Sequence, residues 1–353
     1  MPVGRSPVLL QPFLSICVPS RNRQRYLIDI LAFLRANPRD DVEFVIADNS
    51  DDPAIMNVHM DGLPEDRRIR FLPSENRTLS MIDNWERTVA AASGQWVSVI
   101  GDDDLIDPDV ADAIRIAASL KPGLEVLSWN VLSYDWKDQD SGESNIAVPL
   151  GTSLHDLPKA FLERRAFRWD DASAKLSCGC SLYHSAISTR LLSAIKARFG
   201  GRVFSHPTVD YDSAFKIIAL GEAFAFSVRP FSIFGACPES NTRASHSIDG
   251  LRKAAAVFAA ELGRDYDNDP FMADFPFPST LGLTAAIGQV QHYFRRQHGI
   301  GMDGWEAGFA IACAKNCDTF AGRAEFDIVA DGYRDACRRW QGGKWLAHFK
   351  PVY

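Results

Sequence analysis

Three consecutive acids, Asp102-Asp103-Asp104, follow an apolar run, Trp96-Val97-Ser98-Val99-Ile100, with Gly101 between them as a breaker. The run reads as a buried strand, so the carboxylates stand where it leaves a sheet. Side by side, such groups repel one another. They are tolerated if they face water, or if a hard divalent cation such as Mg²⁺ or Mn²⁺ holds them, because these ions take oxygen ligands and share them with substrate phosphates. The plainer reading is a solvated acidic turn before a helix, with Asp107 as N-cap and Pro108 at the first helical position. Further acids sit in Asp48-Asn49-Ser50-Asp51-Asp52-Pro53 and in Val209-Asp210-Tyr211-Asp212, the latter opening a stretch of helical spacing. Acids in a first helical turn either complement the helix dipole or serve as proton acceptors.

The elements around these acids alternate. Phe13-Leu14-Ser15-Ile16-Cys17-Val18 reads as a first strand stopped by Pro19, and Tyr26, Leu27, Ile30, Leu31 and Leu34 then recur at helical spacing. Glu43-Phe44-Val45-Ile46-Ala47 and Arg68-Ile69-Arg70-Phe71-Leu72 are further strands, and Met81, Ile82, Trp85 and Val89 share one face of a helix that closes at Ser93-Gly94. This pattern predicts an α/β domain with a mostly parallel sheet, whose ligands bind beyond the carboxyl ends of the strands. The segments 20–22, 48–50 and 102–104 all lie at such ends.

Taken in order, Pro19-Ser20-Arg21-Asn22-Arg23, the Asp48-Asn49-Ser50 turn, Asn84 with Ala92-Ser93-Gly94 after it, and Gly101-Asp102-Asp103-Asp104 before Pro108 resemble the nucleotide-sugar-binding half of a family-two glycosyltransferase. His206-Pro207-Thr208-Val209-Asp210-Tyr211-Asp212 is similar to the helix start that carries the catalytic base in that family, and Arg229-Pro230-Phe231-Ser232-Ile233 to the strand that follows. The likeness covers about residues 13–235. It implies a GT-A fold and an inverting transfer from a UDP-sugar, dependent on Mn²⁺ or Mg²⁺, to a carbohydrate or lipid-linked acceptor. By the same resemblance, Pro19, Ser20, Arg21 and Asp48 cradle uracil and ribose, with Asn84 on the nucleotide side. Asp102 faces the ribose or the metal, Asp103 contacts substrate beside it, and Asp104 is the principal metal ligand. Asp210 is the general base, with Asp212 as the alternative, and His246 is offered as a third metal ligand from a loop. Gly101 stands where many members have another acid, Asn49 where Asp is frequent, and Val209 where a second acid often precedes the base.

The expected organisation is a tail over 1–12, a nucleotide-sugar half over 13–121, an acceptor half over 122–245 and a helical module over 246–353. Strand character over 124–134, a polar loop tip over 135–145 and a helix over 160–169 fill the acceptor half. Trp129, Trp136, Trp169, Tyr183 and His184 are either sugar platforms or core. Helical spacing recurs over 251–262, 279–296, 304–314 and 326–340. Ala336-Cys337-Arg338-Arg339-Trp340 resembles the Gln-x-x-Arg-Trp motif of processive synthases, but the Gln is missing and we regard the match as coincidence.

Composition narrows the function further. The chain has 353 residues, 46% hydrophobic and 11% aromatic, enough for a sizeable core. A formal charge of -7 argues against a nucleic-acid partner. No run reaches the roughly 18–20 apolar residues of a membrane span, and the first residues lack the build of a signal peptide. A cytoplasmic protein is expected; the basic, aromatic stretch 344–350 reads as a packed terminus, with contact to a membrane surface or a partner subunit as the alternative, and a homo-oligomer is left open. Seven scattered cysteines do not suggest a disulfide framework, and Cys178-Gly179-Cys180 lacks zinc-site spacing. Two other phosphate-handling classes fit poorly: a nucleotidyltransferase wants glycines after the first strand, and a haloacid-dehalogenase-type phosphatase wants an aspartate there. A non-catalytic nucleotide- or glycan-binding subunit is the alternative reading.

Overall fold

The computed structural model describes residues 11–135, 146–170, 179–239, 247–263 and 268–353. His246, Trp136 and Cys178 lie outside them.

The first half alternates as the sequence pattern requires. Strand β1 (Leu14–Ser20) leads into helix α1 (Gln24–Ala36), β2 (Val42–Asp48) into α2 (Ala54–Asp61), and β3 (Ile69–Leu72) into α3 (Met81–Ala90). Strand β4 (Trp96–Val99) then reaches the acidic turn. The four strands are parallel in the order β3-β2-β1-β4. Pro19 does not end β1: it pairs in register with Ala47 of β2 and lies beyond the last β1–β4 pair, Cys17 with Val99. A residue without an N–H is tolerated where one neighbour has already left. Gly94 is needed because a Cβ there would fall 2.7 Å from Ser15 Oγ and 2.8 Å from Ser15 N.

After the acids the chain does not enter a helix at Pro108. Leu105–Ile106 forms β5, antiparallel to a later strand, and Asp107 N donates to Phe231 O over 2.8 Å, so the backbone stays extended. Helix α4 (Val110–Leu120) starts later, with Asp107 Oδ1 accepting from Asp109 N at 2.9 Å.

Strands β6 (Val126–Asp135), β7 (Ile146–Ala147) and β8 (Leu154–Leu157), helix α5 (Lys159–Phe167), β9 (Ser185–Ser188), α6 (Thr189–Arg198), α7 (Val209–Leu220) and β10 (Phe224–Ala236) complete the sheet. Its order continues β4-β9-β6-β10-β5, with β9 antiparallel to both neighbours and β10 parallel to β6. Helices α8 (Ile248–Leu262), α9 (Leu283–His298), α10 (Glu306–Asn316) and α11 (Arg323–Arg339) follow.

Two buried clusters cover the two faces of the sheet. One joins α1 and α4 to the sheet through Leu27, Ile30, Leu31, Ile114 and Phe44. The other runs without a break from Val97 and Val99 through Phe215 of α7 to Phe294, Phe309, Tyr333 and Trp340. The C-terminal helices thus share a core with the second half of the sheet. Among the described residues no helix is long and apolar enough to cross a membrane.

Candidate active site

The carboxyl ends of β1, β2 and β4 converge, bringing Ser20, Asp48 and the acidic turn to one edge of the sheet. Ser20 Oγ donates to Asp102 Oδ2 over 2.6 Å. Arg23, at the head of α1, spans two of the acids: its Nη2 lies 2.6 Å from Asp102 Oδ1 and its Nη1 3.3 Å from Asp103 Oδ1. The first contact is one of charge, outside hydrogen-bond geometry. Burial pushes the Asp102 carboxyl up to about 7, against the pull of Arg23 and the Ser20 hydroxyl. Burial also raises Asp103, again opposed by Arg23. Cys237 N, just beyond β10, donates to Asp103 Oδ2 at 3.1 Å.

Asp104 behaves differently. Its Oδ2 accepts from Gly101 N at 2.6 Å and from the Tyr183 hydroxyl at 2.6 Å, with His184 Nε2 3.2 Å away, and its Oδ1 accepts from Gly235 N at 2.8 Å. Burial works to raise this carboxyl, but His184, Tyr183 and the Gly235 N–H together hold it below the usual carboxylate range. Asp104, expected as the principal metal ligand, thus has protein donors on both oxygens in a buried setting, as Asp103 has through Arg23 Nη1 and Cys237 N. Asp104 is a clasp between the acidic turn, β10 and the segment before β9. A Cβ on Gly101 would lie 2.8 Å from Asp104 Oδ2, which explains a small residue where the carboxylate folds back. His184 is steadied in turn: its Nδ1 is 2.8 Å from Ser232 Oγ, which also accepts from Trp129 Nε1 at 2.8 Å. Tyr183 and His184, named from sequence as sugar platforms or core, act here as supports of Asp104. Trp129 and Trp169 are core.

The nucleotide-side residues are also ordered by the protein itself. Asp48 is buried and accepts from Ser50 N at 3.2 Å, Ser50 Oγ at 2.5 Å and Ser74 Oγ at 3.1 Å, an Asx-type turn that closes β2. Asn84 of α3 donates to Ser20 O at 3.3 Å and accepts from Arg87 Nε at 2.9 Å. With both polar ends engaged, Asn84 positions the β1 turn rather than presenting a free group to the cleft. Arg21 is part-exposed and paired with Glu261 of α8, with Asp51 3.7 Å away. Pro19 is buried behind them.

The first turn of α7 carries Asp210 and Asp212. Asp212 is buried: Lys216 Nζ lies 2.9 Å from its Oδ2, which also accepts from Ser205 N at 2.6 Å. Lys216 donates further to Val203 O and Ser205 Oγ. Asp210 is half-buried, and its charge bears on Tyr183 together with those of Asp104 and Asp103, although burial is the main reason that this hydroxyl is held well above its ordinary value. Arg23, assigned no site role from the sequence, and Tyr183, read there as sugar platform or core, are thus central. A cation beside three acids was the available signal for Arg23.

Residues 15–191, half of the chain, match the family model described as Glycosyl transferase family 2. The chain belongs to glycosyl transferase family 2. The transferase, a mixed α/β protein with a central sheet flanked by helices, has the GT-A architecture expected from its sequence. It is 25% identical over 148 residues to EpsH of Bacillus subtilis (strain 168), which carries the name of a glycosyltransferase. That match takes in 42% of the transferase and 41% of EpsH, so it spans about two fifths of the relative's length. Among solved structures, residues 1–349 of TarS from S. aureus in complex with UDP-GlcNAc overlap 96% of the transferase and 89% of that chain, at 13% identity and a TM-score of 0.47. The mannosyltransferase PcManGT from Pyrobaculum calidifontis, in complex with GDP-Man and Mn²⁺, overlaps 96% and 85%, at 15% identity and a TM-score of 0.42. At such scores the overlaps decide nothing about donor or metal here.

Proposed function

We propose that the transferase moves a sugar from a UDP-sugar to a hydroxyl of a carbohydrate or lipid-linked acceptor, in a single displacement that inverts the anomeric carbon. The observation that carries this reading is that the buried Tyr183 hydroxyl donates to Asp104 of the acidic turn and also feels the charge of Asp210, half-buried at the head of α7. Pro19, Ser20, Arg21 and Asp48 bind the uridine. The acceptor oxygen attacks the anomeric carbon, its proton passes to the Asp210 carboxylate, and the bond to the diphosphate oxygen breaks. Asp210 is preferred to Asp212 because Lys216 and Ser205 already engage Asp212 Oδ2.

The residues fit a divalent cation at Asp103 with Asp102 beside it. Both carboxylates face a cation already, the Arg23 guanidinium, and Asp102 Oδ1 is a buried oxygen held by charge alone. Among the described residues no group of three or more His, Cys, Asp or Glu side chains is gathered so as to hold a metal, so a nucleotide diphosphate is expected to complete the ligand set. A bound Mn²⁺ or Mg²⁺ would offset charge on the departing diphosphate. His246 lies outside the described residues.

Calorimetric titration with UDP and with GDP, each with Mn²⁺, with Mg²⁺ and with EDTA, tests the reading. UDP binding that needs a divalent ion is the expected result. Preference for GDP would overturn the donor, undiminished affinity in EDTA would overturn the metal, and binding with no turnover of any UDP-sugar would favour a non-catalytic subunit.

A further inference from the structure

A second cleft, of about 730 Å³, opens in the C-terminal helical region, well apart in sequence from the donor residues. Three arginines line it: Arg295 and Arg296 at the end of α9 and Arg339 at the end of α11. Two acids share the cleft, Asp274 and Glu306, so the arginines outnumber them. Asp274 is divided between His292 Nε2 at 2.9 Å and Arg296 Nη1 at 3.9 Å. Arg296 and Arg339 are 54% and 60% exposed; Arg339 Nε is paired with Asp335 Oδ2 at 3.1 Å, which leaves its Nη donors for a ligand. Arg295 is fixed in place: it donates to Met302 O, lies 5.1 Å over the Trp305 ring, and has a buried Nε without a hydrogen-bond partner.

Trp305 and Trp340, 5.4 Å apart between ring centroids and 3% and 2% exposed, are core side chains that back the cleft, and Phe271, with 37% of its surface exposed, is the aromatic face at its rim. The mouth is shaped by a left-handed stretch, Gln341 at φ 47° and Gly342 at φ 68°. Non-glycine residues adopt that conformation at a cost, and Gln341 is kept in it by accepting from Trp345 Nε1 over 2.9 Å. Phe271 also packs on Tyr293, and Tyr293 on His206, four residues before Asp210. The cleft therefore lies behind the acceptor side of the molecule.

We infer that this cleft binds an anionic saccharide, a sugar or short glycan carrying a phosphate or carboxylate group. Planar guanidinium groups recognise both anions through paired N–H donors, and aromatic rims cover the apolar faces of sugar rings. A bare anion would leave the exposed face of Phe271 and most of the volume unused. This site is separate from the donor cleft and does not depend on which nucleotide the transferase takes.

The test is calorimetry on the full chain without donor, using tetragalacturonate for the carboxylate, glucose phosphate for the phosphate, maltotetraose as the neutral control and inorganic phosphate as the bare anion. Binding of tetragalacturonate, of glucose phosphate or of both, at least about ten-fold tighter than maltotetraose and weakened by salt, is expected. The double variant R296Q/R339Q should lose about ten-fold of that affinity, and Phe271→Ala should weaken it as well, with melting temperature and UDP binding unchanged. The inference is overturned if neither anionic sugar binds, if maltotetraose or inorganic phosphate binds as well, or if both variants retain full affinity.

Discussion

Lys216 Nζ lies 2.9 Å from Asp212 Oδ2, one helical turn apart on α7, and both side chains are wholly buried. The pair separates two acids that look alike in the sequence. Asp212 is tied into a buried ion pair, whereas Asp210 is half-buried and its charge bears on Tyr183. Asp212→Ala strands a buried ammonium and should cost about 3–5 kcal/mol, seen as a large fall in the denaturation midpoint. Asp210→Asn should fold and bind UDP normally while losing transfer by about 10²-fold or more. Full turnover in Asp210→Asn would move the base elsewhere.

Asp103 and Asp104 should also part company on mutation. Asp104→Ala leaves the N–H groups of Gly101 and Gly235 without their acceptor, and should destabilise the protein by about 2–4 kcal/mol. Asp103→Asn should melt close to the parent and lose metal-dependent UDP affinity. Thermal melts beside UDP titrations with Mn²⁺ check both; a stable Asp104→Ala that loses only metal dependence would restore Asp104 as the ligand.

The regular elements were legible in two ways: Leu27, Ile30, Leu31 and Leu34 mark the one buried face of α1, whereas β1, β2 and β4 are buried on both faces and read as continuous apolar runs. Strand β9 was not, since Ser185–Ser188 is short and is made a strand by β4 and β6 on its two sides. The acidic turn was legible as a place, but the division of labour within it was not. Which of three adjacent carboxylates turns inward depends on Gly235, Tyr183 and His184, which arrive from distant segments, and no local spacing encodes that meeting.

Arg21 and Glu261 form an ion pair that ties the turn after β1 to the end of α8. A donor using Arg21 must compete with Glu261. The pair is partly solvated, so its worth is about 1 kcal/mol or less. Glu261→Gln should therefore lower the dissociation constant for UDP by up to about five-fold, and high salt should narrow the gap between variant and parent. Unchanged UDP affinity would remove Arg21 from the donor contacts.

His298, at the end of α9, sits against Phe199 with ring centroids 4.6 Å apart. Burial, then the charge of Lys216, lowers it to about 4, with Asp212 pulling the other way and Arg198 adding to the depression. The unfolded imidazole takes its proton near pH 6.5, while the folded one resists until about 4. The stabilising contribution is therefore complete above pH 6.5 and is lost as pH falls through that window. Because the ring is only half-buried, solvent screening leaves about 1 kcal/mol at stake. Denaturation midpoints of the parent should fall between pH 6.5 and 4 more steeply than those of His298→Phe, which has no proton to take. Parallel profiles would show that His298 titrates alike in the folded and unfolded chains.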